Sequence, residues 1–247
     1  MCTIAAAVGA DRRWPLVVAA NRDERLRRPA ESWALRDLPG GVRAAAPRDV
    51  EHGGTWIGIS EGGLFVAITN FHAPDGRFPE PNRRSRGALV SGALEAGSVA
   101  AARDRARATD VERYNPFHLL VLQGAGGFLW RYDGAQAALE EVGPGLHLIT
   151  EADPFGRGPR GEWLRDHWPM DLAPARLREL LATHGEPARD FPCLHMGDLY
   201  GTRSATILRL APSLAHSELY VADGPPCTAP LEDRSRLLLD LAVRRSP

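Results

Sequence analysis

The chain contains no lysine; all 30 of its basic side chains are arginine. That excludes a lysine Schiff base and the phosphate-gripping lysine of a P-loop. Cysteine is scarce as well. Cys2, Cys193 and Cys227 are odd in number and far apart, which argues against a disulfide framework and suits a reducing compartment. Cys193-Leu194-His195 has the look of a ligand pair, but no second pair follows at metal-binding spacing, so no metal is expected. Long apolar runs are missing: none approaches the roughly 20 residues of a membrane helix. Ile4 to Val8 is too short, and lacks a basic leader, for a secretory signal. A cytoplasmic protein with no membrane span is the expectation. The formal net charge of −1 leaves no basic excess for nucleic acid or an acidic membrane, so the expected partner is a small-molecule substrate or ligand. Gly124-Ala125-Gly126-Gly127 is not a phosphate loop, because no helix opening with Gly-Lys-Ser/Thr follows.

What is present is enough apolar sequence, 44% of 247 residues, for one large domain, with no internal repeat and no linker. Strand patterns fall at Ile4–Val8, Leu16–Ala20, Thr55–Ser60, Leu64–Thr69, Phe117–Gln123, Phe128–Tyr132, Leu146–Thr150, Tyr200–Leu210 and Ser217–Ala222. Helical spacing falls at Gly87–Ala96, Val99–Ala108 (with Ser98 as N-cap), Trp163–Trp168, Ala173–His184 and Pro230–Val243. Leu26 to Gly41 and Ala73 to Arg86 read as loops. Gly53-Gly54 permits a bulge or a close backbone approach, and Trp56 reads as core more than as a substrate contact. Hairpins at both ends with helices grouped between them predict antiparallel sheets covered by helices.

The first two dozen residues carry the chemistry. Removal of Met1 leaves a thiol and a free α-amine on one residue, Cys2. An α-amine titrates at about 7.7–8.0 and a thiol at about 8.5, so nucleophile and general base come as a pair. Two apolar strands joined at Gly9-Ala10-Asp11 lie side by side, which brings the polar turn Asn21-Arg22-Asp23-Glu24 beside Cys2. Asp23 then suits the ammonium form of the Cys2 amine, and Arg22 suits a carboxylate. The same residues also fit a solvated turn and a thiol packed as a small hydrophobe. Farther along, Asn70-Phe71-His72 ends a strand, and His72 is either an acid–base group or a solvated loop histidine. Arg83, Arg84 and Arg86 fit either an anionic substrate, which guanidinium binds bidentately, or a solvated loop.

Met1-Cys2-x-Ile4 with Ala19-Ala20-Asn21-Arg22-Asp23-Glu24 resembles the NRDE family, named for that tetrapeptide, whose animal members are the transport and Golgi organisation proteins. The likeness continues in order through Arg28-Pro29, Gly53–Ser60, Ala67–Phe71, Ser85-Arg86-Gly87-x-Leu89-Val90, Tyr114–Phe117 and Tyr200–Ser204. It implies an α+β, four-layer αββα sandwich of two antiparallel sheets, similar to the N-terminal-nucleophile hydrolases, with a single domain over 1–247. It also implies that Cys2 and Asp23 match the nucleophile and the strand-end aspartate of the cysteine acylases, with Asn70 as a further catalytic residue. Asn21, Arg22, Phe71, Glu151 and Arg203 are the substrate-binding candidates. One departure stands out. Where those acylases carry an oxyanion-hole asparagine, Leu148-Ile149-Thr150-Glu151 puts a glutamate, which cannot donate a hydrogen bond when ionised. Losing such a donor costs about 2.7–4 kcal/mol of transition-state stabilisation. Ala20 also replaces an acylase arginine.

Two functional classes follow. The first is a cysteine amidohydrolase or thioesterase working without a cofactor. The second is a non-catalytic binding or transport module for haem or an acyl-coenzyme A ester, with His52, His72 or Cys2 as the available axial ligands for haem. A ligand-free structural protein is third.

Overall fold

Short apolar runs buried on both faces form the central strands. The computed structural model describes residues 2–72 and 79–243. In chain order the strands and helices are β1 (Cys2–Val8), β2 (Leu16–Arg25), β3 (Ala30–Asp37), β4 (Arg43–Asp49), β5 (Ile57–Ser60), β6 (Phe65–Asn70), α1 (Gly87–Ala96), α2 (Val99–Ala108), β7 (Phe117–Gln123), β8 (Gly126–Tyr132), β9 (Ala137–Val142), β10 (Gly145–Thr150), α3 (Pro159–Asp166), α4 (Pro174–Ala182), β11 (His195–Met196), β12 (Tyr200–Leu210), β13 (Glu218–Ala222), β14 (Glu232–Asp233) and α5 (Arg236–Ala242).

The strands form two antiparallel sheets. One runs β10-β1-β2-β12-β13-β14, with β11 paired to β12; the other runs β3 through β9 in sequence order. Their inner faces meet in a core built from Ile4, Ala6, Val8, Leu16 and Val18 on one side and Ile57, Ile59, Phe65, Leu120 and Leu122 on the other. The alternate residues of β1 and β2, including Ala7, Val17 and Ala19, face outward against Leu177 and Leu181 of α4. Ala5 packs with Leu148 and with Leu164 of α3. Val90 and Leu94 of α1 and Ala102 and Ala106 of α2 cover the outer face of the second sheet. The result is the expected α+β sandwich, helices–sheet–sheet–helices, with each strand's period of two splitting its side chains between two interfaces.

Three local expectations are corrected. Asn21-Arg22-Asp23-Glu24 is not a turn: β2 continues to Arg25, because both neighbours supply partners, Cys2 opposite Arg22 on β1 and Tyr200 opposite Arg25 on β12. Leu26 to Gly41 is not a loop throughout. Ala30–Asp37 pairs with β4 as the edge of its sheet, buries Trp33, and leaves its other side chains half-buried or exposed, so its polar residues masked the pattern. The last helix begins at Arg236 rather than Pro230, since Glu232–Asp233 instead pairs with Tyr220–Val221. Of the expected Ala73–Arg86 loop, 73–78 lie outside the described residues. Ser98 caps α2 as expected, accepting from the Ala101 N–H at 3.3 Å.

Candidate active site

Cys2 opens β1 in exact parity with Ile4, Ala6 and Val8, so its side chain points between the sheets, at their open end. Arg22 is its cross-strand partner and shares that face. Asn21 and Asp23, one residue to either side, have the opposite parity and turn toward the α3–α4 layer. Asn21 accordingly donates from Nδ2 to the carbonyls of Leu181 (2.9 Å) and Pro192 (2.8 Å). Asp23 is buried, and its backbone N–H reaches back to the Cys2 thiol. Desolvation pushes the Cys2 thiol above its ordinary value. The Asp23 carboxylate adds to that shift; the Asp23 N–H and the Arg22 guanidinium oppose it.

The Asp23 carboxylate has a defined surround. Thr202 donates its hydroxyl to Oδ1 at 2.6 Å, and Arg160 Nη1 lies 3.7 Å from Oδ2. Burial raises Asp23 to about 6, against the lowering pull of Arg160 and the Thr202 hydrogen bond and with a further push from Glu151. The Tyr200 hydroxyl donates to the Asp23 carbonyl at 2.9 Å, and burial among Cys2, Asp23 and Glu24 raises that phenol well above its usual range.

Glu151 is buried beyond the end of β10 and ion-paired with Arg160, Oε2 to Nη1 at 3.1 Å. Arg160 also donates to Thr3 Oγ1 (3.3 Å) and to the Arg189 carbonyl (2.9 Å). One buried guanidinium therefore serves two buried carboxylates. A second fixture is His118, whose Nδ1–H is 3.0 Å from the Thr150 carbonyl. Burial lowers His118 to about 4, so it stays neutral and ties β7 to the end of β10 across the sandwich.

Cys2 lines a cavity of about 200 Å³ with Arg22, Arg28, Trp56, Asn70, Arg84 and Arg86 among its walls. Arg22 stacks its guanidinium over the Trp56 ring at 4.0 Å. Its nearest carboxylates, on Glu24 and Asp49, are 3.8 and 3.9 Å away, too far for hydrogen bonds. Arg28 takes those carboxylates instead, at 3.1 and 2.6 Å. Arg86 donates to the Pro116 carbonyl at 2.8 Å; burial lowers it to about 10, which leaves it cationic at neutral pH. Arg84 and Arg86 have no salt-bridge partner among the described residues, whereas Arg83 is held by Glu80 at 2.7 Å. The cavity wall thus carries positive charge with unspent donors beside a thiol.

The description Transport and Golgi organisation 2 names the family model that matches residues 1–191. The chain belongs to that family. Two curated relatives of the family align over its sequence. The Transport and Golgi organization 2 homolog of Mus musculus is 36% identical over 145 residues, 56% of this chain and 50% of the relative. The Transport and Golgi organization protein 2 homolog of Bos taurus is 31% identical over 144 residues, with the same coverage of 56% and 50%. The chain thus matches about half the length of these curated relatives. Among solved structures, the Caenorhabditis elegans ortholog of N-acylethanolamine-hydrolyzing acid amidase superposes with a TM-score of 0.56 at 15% identity, over 84% of this chain and 92% of that one. A mutant (C2A) conjugated bile acid hydrolase from Clostridium perfringens gives 0.54 at 10%, over 99% and 95%. Penicillin V acylase from Agrobacterium tumefaciens gives 0.51 at 13%, over 96% and 88%. At these identities the likeness establishes the fold, that of N-terminal-nucleophile hydrolases.

Within this member of the family, the structure gathers Cys2, Arg22, Asp23 and Asn70 at one cavity. The other sequence candidates lie elsewhere. Asn21 faces the helix layer. Phe71 packs on His118, ring centres 5.1 Å apart, and is not on the cavity wall. Glu151 sits with Arg160 behind β1, its carbonyl accepting the His72 N–H at 3.0 Å. Arg203 is the bulged residue of β12 and lines a neighbouring depression on the far side of Arg22 and Trp56. Trp56, read from sequence as core, is half-buried and walls the cavity. Arg160 and Thr202 were not singled out from the sequence. The one signal for Arg160 was indirect: a glutamate ending a buried strand needs a cation.

Proposed function

We propose that this protein is an N-terminal-nucleophile cysteine hydrolase acting on an amide or thioester bond of a small substrate that carries an anionic group. The observation that carries this reading is the position of Cys2, at a strand end on the wall of an arginine-lined cavity with Asp23 beside it. In this reading Met1 is removed. The Cys2 sulfur attacks the substrate carbonyl carbon, and its proton passes to the Cys2 α-amine. The amine returns that proton to the departing nitrogen or sulfur as the old bond breaks, leaving an acyl thioester on Cys2. Water, activated by the same amine, then releases the acid and restores the thiol. Asp23 orients the ammonium form, Asn70 donates to the oxyanion, and Arg22, Arg84 and Arg86 hold the anionic group.

The test is intact mass combined with turnover of an activated thioester. The expected outcome is protein lacking Met1, a transient acyl adduct on Cys2, and a Cys2→Ser variant that loses most turnover while its affinity for a substrate analogue stays within about two-fold, because the nucleophile acts in the transition state. Retained Met1, or full turnover in Cys2→Ser, refutes it. Ligand binding without any adduct moves the reading to the binding module.

A further inference from the structure

On the far side of the β2–β12 pair from the cavity, four side chains from three separate segments converge. His184 follows α4, Cys193 and His195 flank Leu194 at the start of β11, and Cys227 lies in the turn between β13 and β14. Cys193 Sγ is 3.6 Å from Cys227 Sγ and 3.5 Å from His195 Nε2. Cys227 Sγ is 3.3 Å from the same nitrogen. One ligand atom from each of His184, His195 and Cys227 lies within 4.8 Å of the others, and the two imidazoles meet edge to face with centres 5.1 Å apart. Both cysteines are free thiols.

We propose that Cys193, His195, Cys227 and His184 bind a structural zinc ion. Tetrahedral zinc, with Zn–S about 2.3 Å and Zn–N about 2.0–2.1 Å, sets its sulfurs about 3.8 Å apart and sulfur and nitrogen about 3.6 Å apart. The three short separations have that scale. Two thiolates balance the charge of Zn²⁺ and two neutral imidazoles complete a closed set of four, the pattern of structural sites. Thiolate and imidazole ligands also disfavour magnesium and calcium, which take oxygen. Local spacing in the sequence hid the site: Cys193-x-His195 supplies one pair on one face of an extended segment, and the other two ligands are distant in the chain.

The site would fasten a segment that reaches Asp23. The Pro192 carbonyl accepts from Asn21, and the Leu194 N–H donates to Thr202 Oγ1, which donates on to Asp23. Three segments without long elements of their own are joined there, so binding free energy becomes folding free energy. The proposal stands on these side chains alone and is independent of the role of Cys2.

Metal analysis of the purified full chain, after growth with added zinc and dialysis, tests it. About one zinc per chain is expected, falling to near none in Cys227→Ser and in His195→Ala and unchanged in Cys2→Ser. Should a ligand variant not fold, cobalt replaces zinc in the wild-type chain. Intense tetrahedral visible bands with thiolate-to-cobalt charge transfer support the site; weak octahedral bands overturn it. Absence of stoichiometric metal overturns it, as does a Cys193–Cys227 disulfide in metal-free protein purified without reductant. Zinc that persists in Cys227→Ser and His195→Ala overturns it equally.

Discussion

Asp23 titrates at about 6 in the folded chain against an ordinary 3.8, chiefly because burial disfavours its charge. A carboxyl raised in the folded state holds its proton there more readily than when unfolded. Between pH 3.8 and about 6 the native state binds the extra proton, so stability falls as pH rises through that window and is level above it. The shift of about two pK units corresponds to about 3 kcal/mol of cost at neutral pH. The ionised form is the one that orients an ammonium, so kcat/KM is expected to show an acid-side titration near pH 6 in addition to that of the amine base at higher pH, and Asp23→Asn should remove the lower titration along with most activity. A lower titration near 4 assigns control to another group. Arg160 offsets this cost and that of Glu151 together. Arg160→Met strands two buried carboxylates and is expected to lose roughly 3–5 kcal/mol in urea unfolding. Glu151→Gln in that background should recover part of the loss, because one stranded charge is gone. The pairing of Cys2 with the Arg22–Asp23 segment was legible in the sequence because two strands joined by a short turn fix their own register. Arg160 was not: it stands on a helix with no local pattern pointing at β1.

At the scale of elements, the legible parts were those with a strong apolar signal. β1, the first half of β2, β6 and β7 are short apolar runs buried on both faces, and α1 and α2 fall at their expected bounds. β3 and β9 were missed for a common reason, since both are edge strands whose side chains are mostly half-buried or exposed, with polar residues that resemble a loop. The Asn21–Glu24 segment was misread because its polarity suggests a turn, while its hydrogen-bond partners come from β12, far away in sequence. The reading of Gly53-Gly54 as a close approach fits the packing. A Cβ on Gly54 would lie 2.7 Å from the Gly87 carbonyl carbon, where α1 begins directly after Arg86. Gly54→Ala therefore forces α1 away from the backbone leading into β5. The expected effects are about 1–3 kcal/mol of lost stability, the range for overpacking, and a raised KM for an anionic substrate as Arg86 is displaced. Thermal unfolding and steady-state kinetics check both; an unchanged KM with lowered stability separates packing from arginine placement.

Over the whole molecule, the absence of lysine reduces the proposed chemistry to one amine. All 30 basic side chains are guanidinium groups, which remain protonated and resist acylation at neutral pH. The terminal α-amine is then the chain's one strong amine nucleophile. An N-hydroxysuccinimide ester is expected to leave a single acyl group per chain, native or unfolded, once hydroxylamine has stripped acyl groups from thiols. If Met1 has been removed, that group sits on the Cys2 nitrogen, one bond from the carbon bearing the thiol side chain. The thiol survives but its base is gone, so turnover should fall by roughly 10²–10⁴-fold, the usual worth of general acid–base catalysis. The arginine wall of the cavity is untouched, so affinity for an anionic substrate analogue should change little. Tandem mass spectrometry of the first peptide assigns the label. A Cys2-labelled chain with full turnover shows that the amine is not the base, and a Met1-labelled chain with full turnover removes the N-terminal mechanism altogether, because an amide-linked Cys2 nitrogen cannot accept the thiol proton.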